Sequence, residues 1–122
     1  MRAMARTIKL APLREDHIKA IVEIERQSHG CPWSDQSFRN ELGHRHACFW
    51  VALDGAEVVD YGGLWLIVDE AHVTTVTVKP DRRREGVGRR LVETLLDEAR
   101  QRGAVCATLE VRAGNEAAIG LY

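Results

Sequence analysis

From residue 87 onward the apolar positions Val87, Leu91, Leu95 and Ala99 recur every four residues, with Val92 and Leu96 beside them. That spacing lays one broad apolar stripe along a helix, and Gly103 stands where a helix-terminating glycine belongs. Upstream, His72-Val73-Thr74-Thr75-Val76-Thr77-Val78 alternates with a period of two and predicts a strand. The first half of the chain is read the same way. Residues 8–10 predict a short opening strand, Pro12 a turn, and 14–27 a helix with Ile18, Ile21, Val22 and Ile24 or Glu25 in register. Gly30-Cys31-Pro32 breaks that helix. Ser34 is placed to cap a short helix through Leu42, with Asp35 favourable in its first turn. A strand over 48–53, a hairpin turn at Asp54-Gly55, and a strand over 58–68 containing Gly62-Gly63 follow. Asp69-Glu70 is read as the next turn.

A strand over 107–111 and the start of a helix over 116–122, after Asn115, complete the pattern. The order is β-α-α-β-β-β-α-β-α, with antiparallel hairpins first and a strand-helix-strand crossover last. The expected class is therefore α/β (or α+β) with a mixed sheet. At 122 residues, one domain over 1–122 is expected. Leu121-Tyr122 falls inside the last predicted helix, so a C-terminally short domain with an exposed sheet edge is anticipated.

Composition narrows the function classes. With 45% hydrophobic and 29% charged residues and a net charge of −1, the chain reads as an ordinary globular domain, without the wide basic face of a general nucleic-acid binder. No apolar run is long enough to span a membrane, and the first six residues lack the apolar core of a signal peptide. A cytoplasmic location with no membrane partner is expected. Cys31, Cys48 and Cys106 fit reduced thiols better than a disulfide framework. His44, His46 and Cys48 alternate, which on one strand would put them on one face. With no fourth ligand in view they are read as polar loop-end residues beside a buried cysteine, and no metal is expected.

The informative segment is Arg82-Arg83-Arg84-Glu85-Gly86-Val87-Gly88-Arg89, between the alternating strand and the amphipathic helix. A glycine-bearing turn at a helix start leaves backbone N–H groups pointing outward at the positive end of the helix dipole, a natural anion site. Gly86 and Gly88 allow close approach of a phosphate. Lys79, Arg82, Arg83, Arg84, Arg89 and Arg90 outweigh Asp81 and Glu85 by four charges. The P-loop pattern is absent because Arg89-Arg90 follows the glycines, and Leu91 stands where a dinucleotide fingerprint needs its third glycine. What remains is R-x-x-G-x-G from Arg83 to Gly88, read as a pyrophosphate cradle.

Strand, R-x-x-G-x-G, long amphipathic helix, strand and short helix resembles the acetyl-CoA site of the GNAT N-acetyltransferase superfamily. The chain resembles it over nearly its whole length. Cys31-Pro32-Trp33-Ser34 and the run from Leu109-Glu110-Val111-Arg112 through Asn115 to Leu121-Tyr122 are similar to the RimI type, which acetylates the N-terminal alanine of a ribosomal protein. The resemblance implies a GNAT-like, mostly antiparallel sheet flanked by helices, lacking the C-terminal strands with which family members continue. It implies that the backbone of Val76, Thr77 and Val78 holds the pantetheine arm, with the Val78 N–H near the thioester carbonyl. Arg83, Arg84, Glu85, Gly86, Val87, Gly88 and Arg89 would surround the pyrophosphate, and Asn115 would contact the cofactor. Glu110 would be the catalytic base, Tyr122 the acid that protonates the departing sulfur, and Trp33 a residue bordering the peptide groove. Acetyl-CoA is the implied co-substrate and a protein N-terminus the implied partner, with no direct contact to nucleic acid.

The chemistry is consistent with those residue types. At about pH 7.5 an α-amine, with an ordinary pKa of about 7.7–8.0, is neutral roughly 300 times more often than a lysine near 10.4, an advantage of about 3.4 kcal/mol. One carboxylate can take the remaining proton, directly or through water, and a backbone N–H can stabilise the oxyanion. Two other functions stay open at this stage: acetylation of a small-molecule amine or a lysine, and a CoA-binding module without catalysis.

Overall fold

The computed structural model describes residues 8–28, 30, 32–80 and 86–109. Among these residues, five strands form one sheet in chain order: β1 (Ile8–Pro12), β2 (Ala47–Asp54), β3 (Glu57–Ile67), β4 (Glu70–Val78) and β5 (Cys106–Leu109). The first four are antiparallel neighbours, and β5 runs parallel to β4 after the crossover helix α3 (Val87–Gln101). The other α-helices among the described residues are α1 (Ile18–Ser28) and α2 (Asp35–Leu42). This is the mixed sheet anticipated from the pattern. The strand expected over 107–111 is described as far as Leu109, and the helix expected over 116–122 lies outside the described residues.

Alternation along the strands divides the core in two. On one face Ile18, Ile21 and Ile24 of α1 and Phe38 of α2 pack with Phe49, Val51 and Tyr61. On the other, Leu91, Val92, Leu95 and Ala99 of α3 pack with Cys48, Leu64, Val73 and Val76. Gly62 and Gly63 let both layers close at the centre of β3. A Cβ on Gly62 would meet Leu91 and Leu95 at 3.2 Å, and one on Gly63 would lie 2.4 Å from the Phe49 ring.

Helix ends follow the local chemistry. The Ser34 side chain accepts from the Ser37 N–H at 3.2 Å and caps α2. At the end of α3, Gly103 has φ +104°; its N–H donates to Arg100 O and that of Ala104 to Ala99 O, both at 3.0 Å. These paired bonds form a Schellman motif. The first predicted helix is corrected at its start, where Glu15–His17 form a 3₁₀ turn before α1. Both Ile24 and Glu25 are buried on its inner face.

The second hairpin also corrects the expected turn. Ile67 pairs with Glu70, so the two-residue loop is Val68-Asp69 and not Asp69-Glu70. Val68 is 95% exposed and adopts φ +58°. A two-residue hairpin needs positive φ at its first loop position to match strand twist, and the pairing register placed a β-branched residue there. Gly55 fills the equivalent position between β2 and β3 with φ +63°.

Candidate active site

The end of β4, the start of α3 and the segment between α1 and α2 hold the described candidate residues. In β4, Gly63 pairs with Thr75 but Leu64 with Val73, which leaves Thr74 as an extra residue. Its hydroxyl donates to Gly63 O at 3.3 Å. Such a bulge re-aims a strand, and it falls just beyond Val73, where the described pairing with β5 stops. Val76, Thr77 and Val78 are all buried, and the Thr77 and Thr75 hydroxyls are 3.2 Å apart. With side chains committed to the interior, these residues can meet a ligand only through their backbone.

The helix that follows starts on Gly86, with φ +81° and ψ 2° and no side-chain cap. Its first turn carries no acidic residue, and Val87 and Gly88 are buried. An uncapped helix start, with a glycine in the left-handed region and the positive end of a 15-residue helix behind it, suits a bound anion. Arg89 is exposed. Arg90 is not available in the same way, because its guanidinium donates to the Ile8 carbonyl at 3.2 Å. Arg83, Arg84 and Glu85 lie outside the described residues, as do Glu110, Asn115 and Tyr122.

Against this geometry stands a clear likeness to known proteins. The pattern of the Acetyltransferase (GNAT) family matches residues 18–122. The chain belongs to the GNAT acetyltransferase family. It is 36% identical over 113 residues to the ribosomal protein bS18-alanine N-acetyltransferase of Escherichia coli (strain K12), covering 93% of this chain and 76% of that protein. The crystal structure of the ribosomal-protein-S18-alanine N-acetyltransferase from Escherichia coli superposes with a TM-score of 0.81, at 32% identity over 95% of this chain and 74% of that one. The PaiA N-acetyltransferase of Thermoplasma acidophilum, solved with coenzyme A, shares the fold at a TM-score of 0.82 and 17% identity, covering 95% of this chain and 86% of that one. GNAT enzymes are acetyl-CoA-dependent, and the α3 start described above fits the anionic part of that co-substrate.

In this GNAT acetyltransferase Trp33 lies away from the α3 start, on the face of the sheet that carries α1 and α2. Its ring packs at 5.3 Å from Phe38 and 6.4 Å from Phe49. It also lines a cavity of about 830 Å³ between α1 and the first turn of α2, to which no residue of β4 or α3 contributes. That cavity is thus separate from β4 and the described start of α3. Trp33 serves both as an aromatic plug and as a cavity wall.

Two buried carboxyl groups escaped the sequence reading. Glu25, fully buried, accepts hydrogen bonds from the Tyr61 hydroxyl and, at 2.9 Å, from the Trp33 backbone N–H. Asp60, also fully buried, has no hydrogen-bond partner for either carboxyl oxygen among the described residues. Burial pushes its carboxyl well above the usual range; the adjacent Tyr61 N–H pulls the other way without a well-formed hydrogen bond. In Glu25 the only signal was its place in the helical stripe. For Asp60, strand alternation alone puts it on the same face as Gly62, toward α3.

The alternating His44, His46 and Cys48 do not share a strand face. Both histidines precede β2 and are exposed, and the His44 ring packs at a tilt against Trp65 with ring centroids 4.1 Å apart. Cys48 is buried, and burial raises its thiol pKa above the ordinary range, with Arg102 opposing. That matches polar loop-end residues beside a buried cysteine. Cys106 is exposed and Cys31 lies outside the described residues. Among the described residues no helix is long and apolar enough to cross a membrane.

Proposed function

We propose that this chain moves the acetyl group of acetyl-CoA to the α-amine of a protein N-terminus, with the N-terminal alanine of a ribosomal protein as acceptor. The observation that carries the reading is the uncapped, glycine-initiated start of α3 directly after a bulged β4, in a chain 36% identical to a bS18-alanine N-acetyltransferase. The backbone of Val76, Thr77 and Val78 binds the pantetheine arm, and the amides from Arg83 to Arg89 bind the pyrophosphate. Asn115 adds a cofactor contact. Buried β4 side chains and the dipole of α3 support these assignments.

In the reaction the neutral amine attacks the thioester carbon, and the carbonyl oxygen becomes an oxyanion near the Val78 N–H. Glu110 takes the proton lost by the nitrogen. The C–S bond then breaks, and Tyr122 gives its proton to the sulfur as CoA leaves. The domain spans 1–122, and Trp33 borders the acceptor.

The test incubates the chain with acetyl-CoA and a panel of free N-terminal Ala, Ser and Met peptides, N-blocked lysine peptides and a polyamine, read by mass spectrometry. Acetylation of the free alanine terminus that drops at least about a hundredfold in Glu110→Gln supports the proposal, the scale on which a general base contributes. Modification confined to lysine or polyamine would move the acceptor to a side chain or small amine. CoA binding without any turnover would make the chain a binding module.

A further inference from the structure

A carboxylate with no exposed surface, on the helix face that packs against a sheet, is costly to keep. A leucine there would pack with Ile18, Ile21 and Ile24 and need no partners. Replacing a buried polar group together with its partners by apolar side chains is often neutral or stabilising, so stability alone is a weak reason for this hydrogen-bonded cluster to be polar. What the carboxylate supplies is geometry. Its two oxygens take donors from two separate elements, the Tyr61 hydroxyl on β3 and the Trp33 N–H between α1 and α2.

Those contacts belong to a closed circuit. The Trp33 ring lies on Phe38, the Phe38 ring meets Tyr61 edge-on at 5.7 Å, and Tyr61 returns to Glu25. On its far side Ser34 caps α2, and Arg39 of α2 reaches Asp35 at 3.1 Å and Glu15 at 2.7 Å. The segment Pro32-Trp33-Ser34 is thus held from the core side by Glu25 and forms, on its other side, one wall of the cavity of about 830 Å³.

We infer that Glu25 is a positioning residue for the acceptor: by holding the Trp33 backbone it sets the wall that an incoming N-terminal peptide meets. This rests on the reading of Trp33 as bordering the acceptor, and it assigns Glu25 no contact with substrate or acetyl group. The circuit shares no residue with the proposed acetyl-CoA contacts; its one neighbour among them is Thr77, the backbone pairing partner of Tyr61, and that pairing does not depend on the Glu25 side chain, so acetyl-CoA binding is expected to stay unchanged.

The experiment measures steady-state constants for both substrates, with an N-terminal alanine peptide as acceptor. Glu25→Leu releases Trp33 and is expected to raise the peptide KM roughly tenfold, the effect of about one lost hydrogen bond, with the acetyl-CoA KM unchanged. Glu25→Gln rescues: its carbonyl accepts from Trp33 N–H and its amide donates to the Tyr61 oxygen, so the peptide KM stays within about twofold of the parent. Amide exchange of the segment around Trp33 accelerates in the leucine variant and not in the glutamine variant. Should the leucine variant fail to fold, Tyr61→Phe removes one of the two anchors and is expected to raise the peptide KM about threefold, again without moving that of acetyl-CoA. An unchanged peptide KM in the variants, or an equal rise in both constants, overturns the inference while leaving the acetyltransferase reading intact. A parent chain that acetylates no N-terminal peptide removes the reading beneath it as well.

Discussion

Asp60→Val is expected to stabilise this protein and to abolish a pH dependence expected of the parent. Asp60 sits in the middle of the sheet, paired with Ala52 of β2 and Val78 of β4, fully buried and with no partner for its carboxyl oxygens among the described residues. Burial raises its pKa well above the unfolded value of about 3.9. The folded state therefore keeps a proton that the unfolded state releases. Its contribution to stability is full below about pH 4 and is lost as pH rises through the folded pKa. While only the folded state holds the proton, each pH unit costs about 1.36 kcal/mol. That is comparable with about 1–3 kcal/mol for one buried unsatisfied polar group. It is also a sizeable part of the roughly 5–15 kcal/mol that holds a domain together.

The assay is urea unfolding from pH 4.5 to 8 on the parent, Asp60→Asn and Asp60→Val. Subtracting the asparagine curve cancels every other titrating group and isolates Asp60. The difference is expected to show parent stability falling relative to the asparagine variant as pH rises. At pH 7.5 the valine variant is expected to gain about 1–3 kcal/mol over the parent, a rise in Tm of roughly 4 °C per kcal/mol for a chain of this size. A parent curve parallel to the asparagine curve, or a valine variant less stable than the parent at pH 7.5, would refute the reasoning.

Two other perturbations test the packing and backbone arguments. In Gly63→Ala the new methyl would lie 2.4 Å from a Phe49 ring already in contact with Trp33 and Phe38, and a loss of about 1–3 kcal/mol is expected in urea unfolding. Adding Phe49→Leu should recover part of that loss, and simple additivity of the two changes would count against the clash. Val68→Asn, at the exposed hairpin position with φ +58°, is expected to stabilise by about 1 kcal/mol by relieving left-handed strain. A fall in Tm would show that the valine is not strained there.

Much of this protein was determined by local pattern. The four-residue stripe of α3, its closing Gly103 and the Ser34 cap depend on neighbours within a few positions, and each is found where the sequence places it, whereas the first hairpin turns at Gly55-Ala56, one residue on from the expected Asp54-Gly55, because Asp54 pairs with Glu57. Local rules also placed the uncapped, glycine-initiated start of α3 directly after β4, because strand, glycine turn and helix are adjacent in the chain. The catalytic assignments at Glu110 and Tyr122 come instead from family resemblance and await the peptide assay.

Other features belong to tertiary structure because they depend on what packs over a residue from far along the chain. Glu25 and Asp60 have the side chains of surface residues, and only the closing of α1 and α3 on opposite faces of β3 buries them. The roles of Gly62 and Gly63 come from Leu91 and Phe49 arriving from separate elements. Strand register, likewise, set the bulge at Thr74 and the positive φ of Val68. Periodicity along a chain says which face a side chain takes; whether that face stays wet depends on a partner whose sequence distance carries no signal.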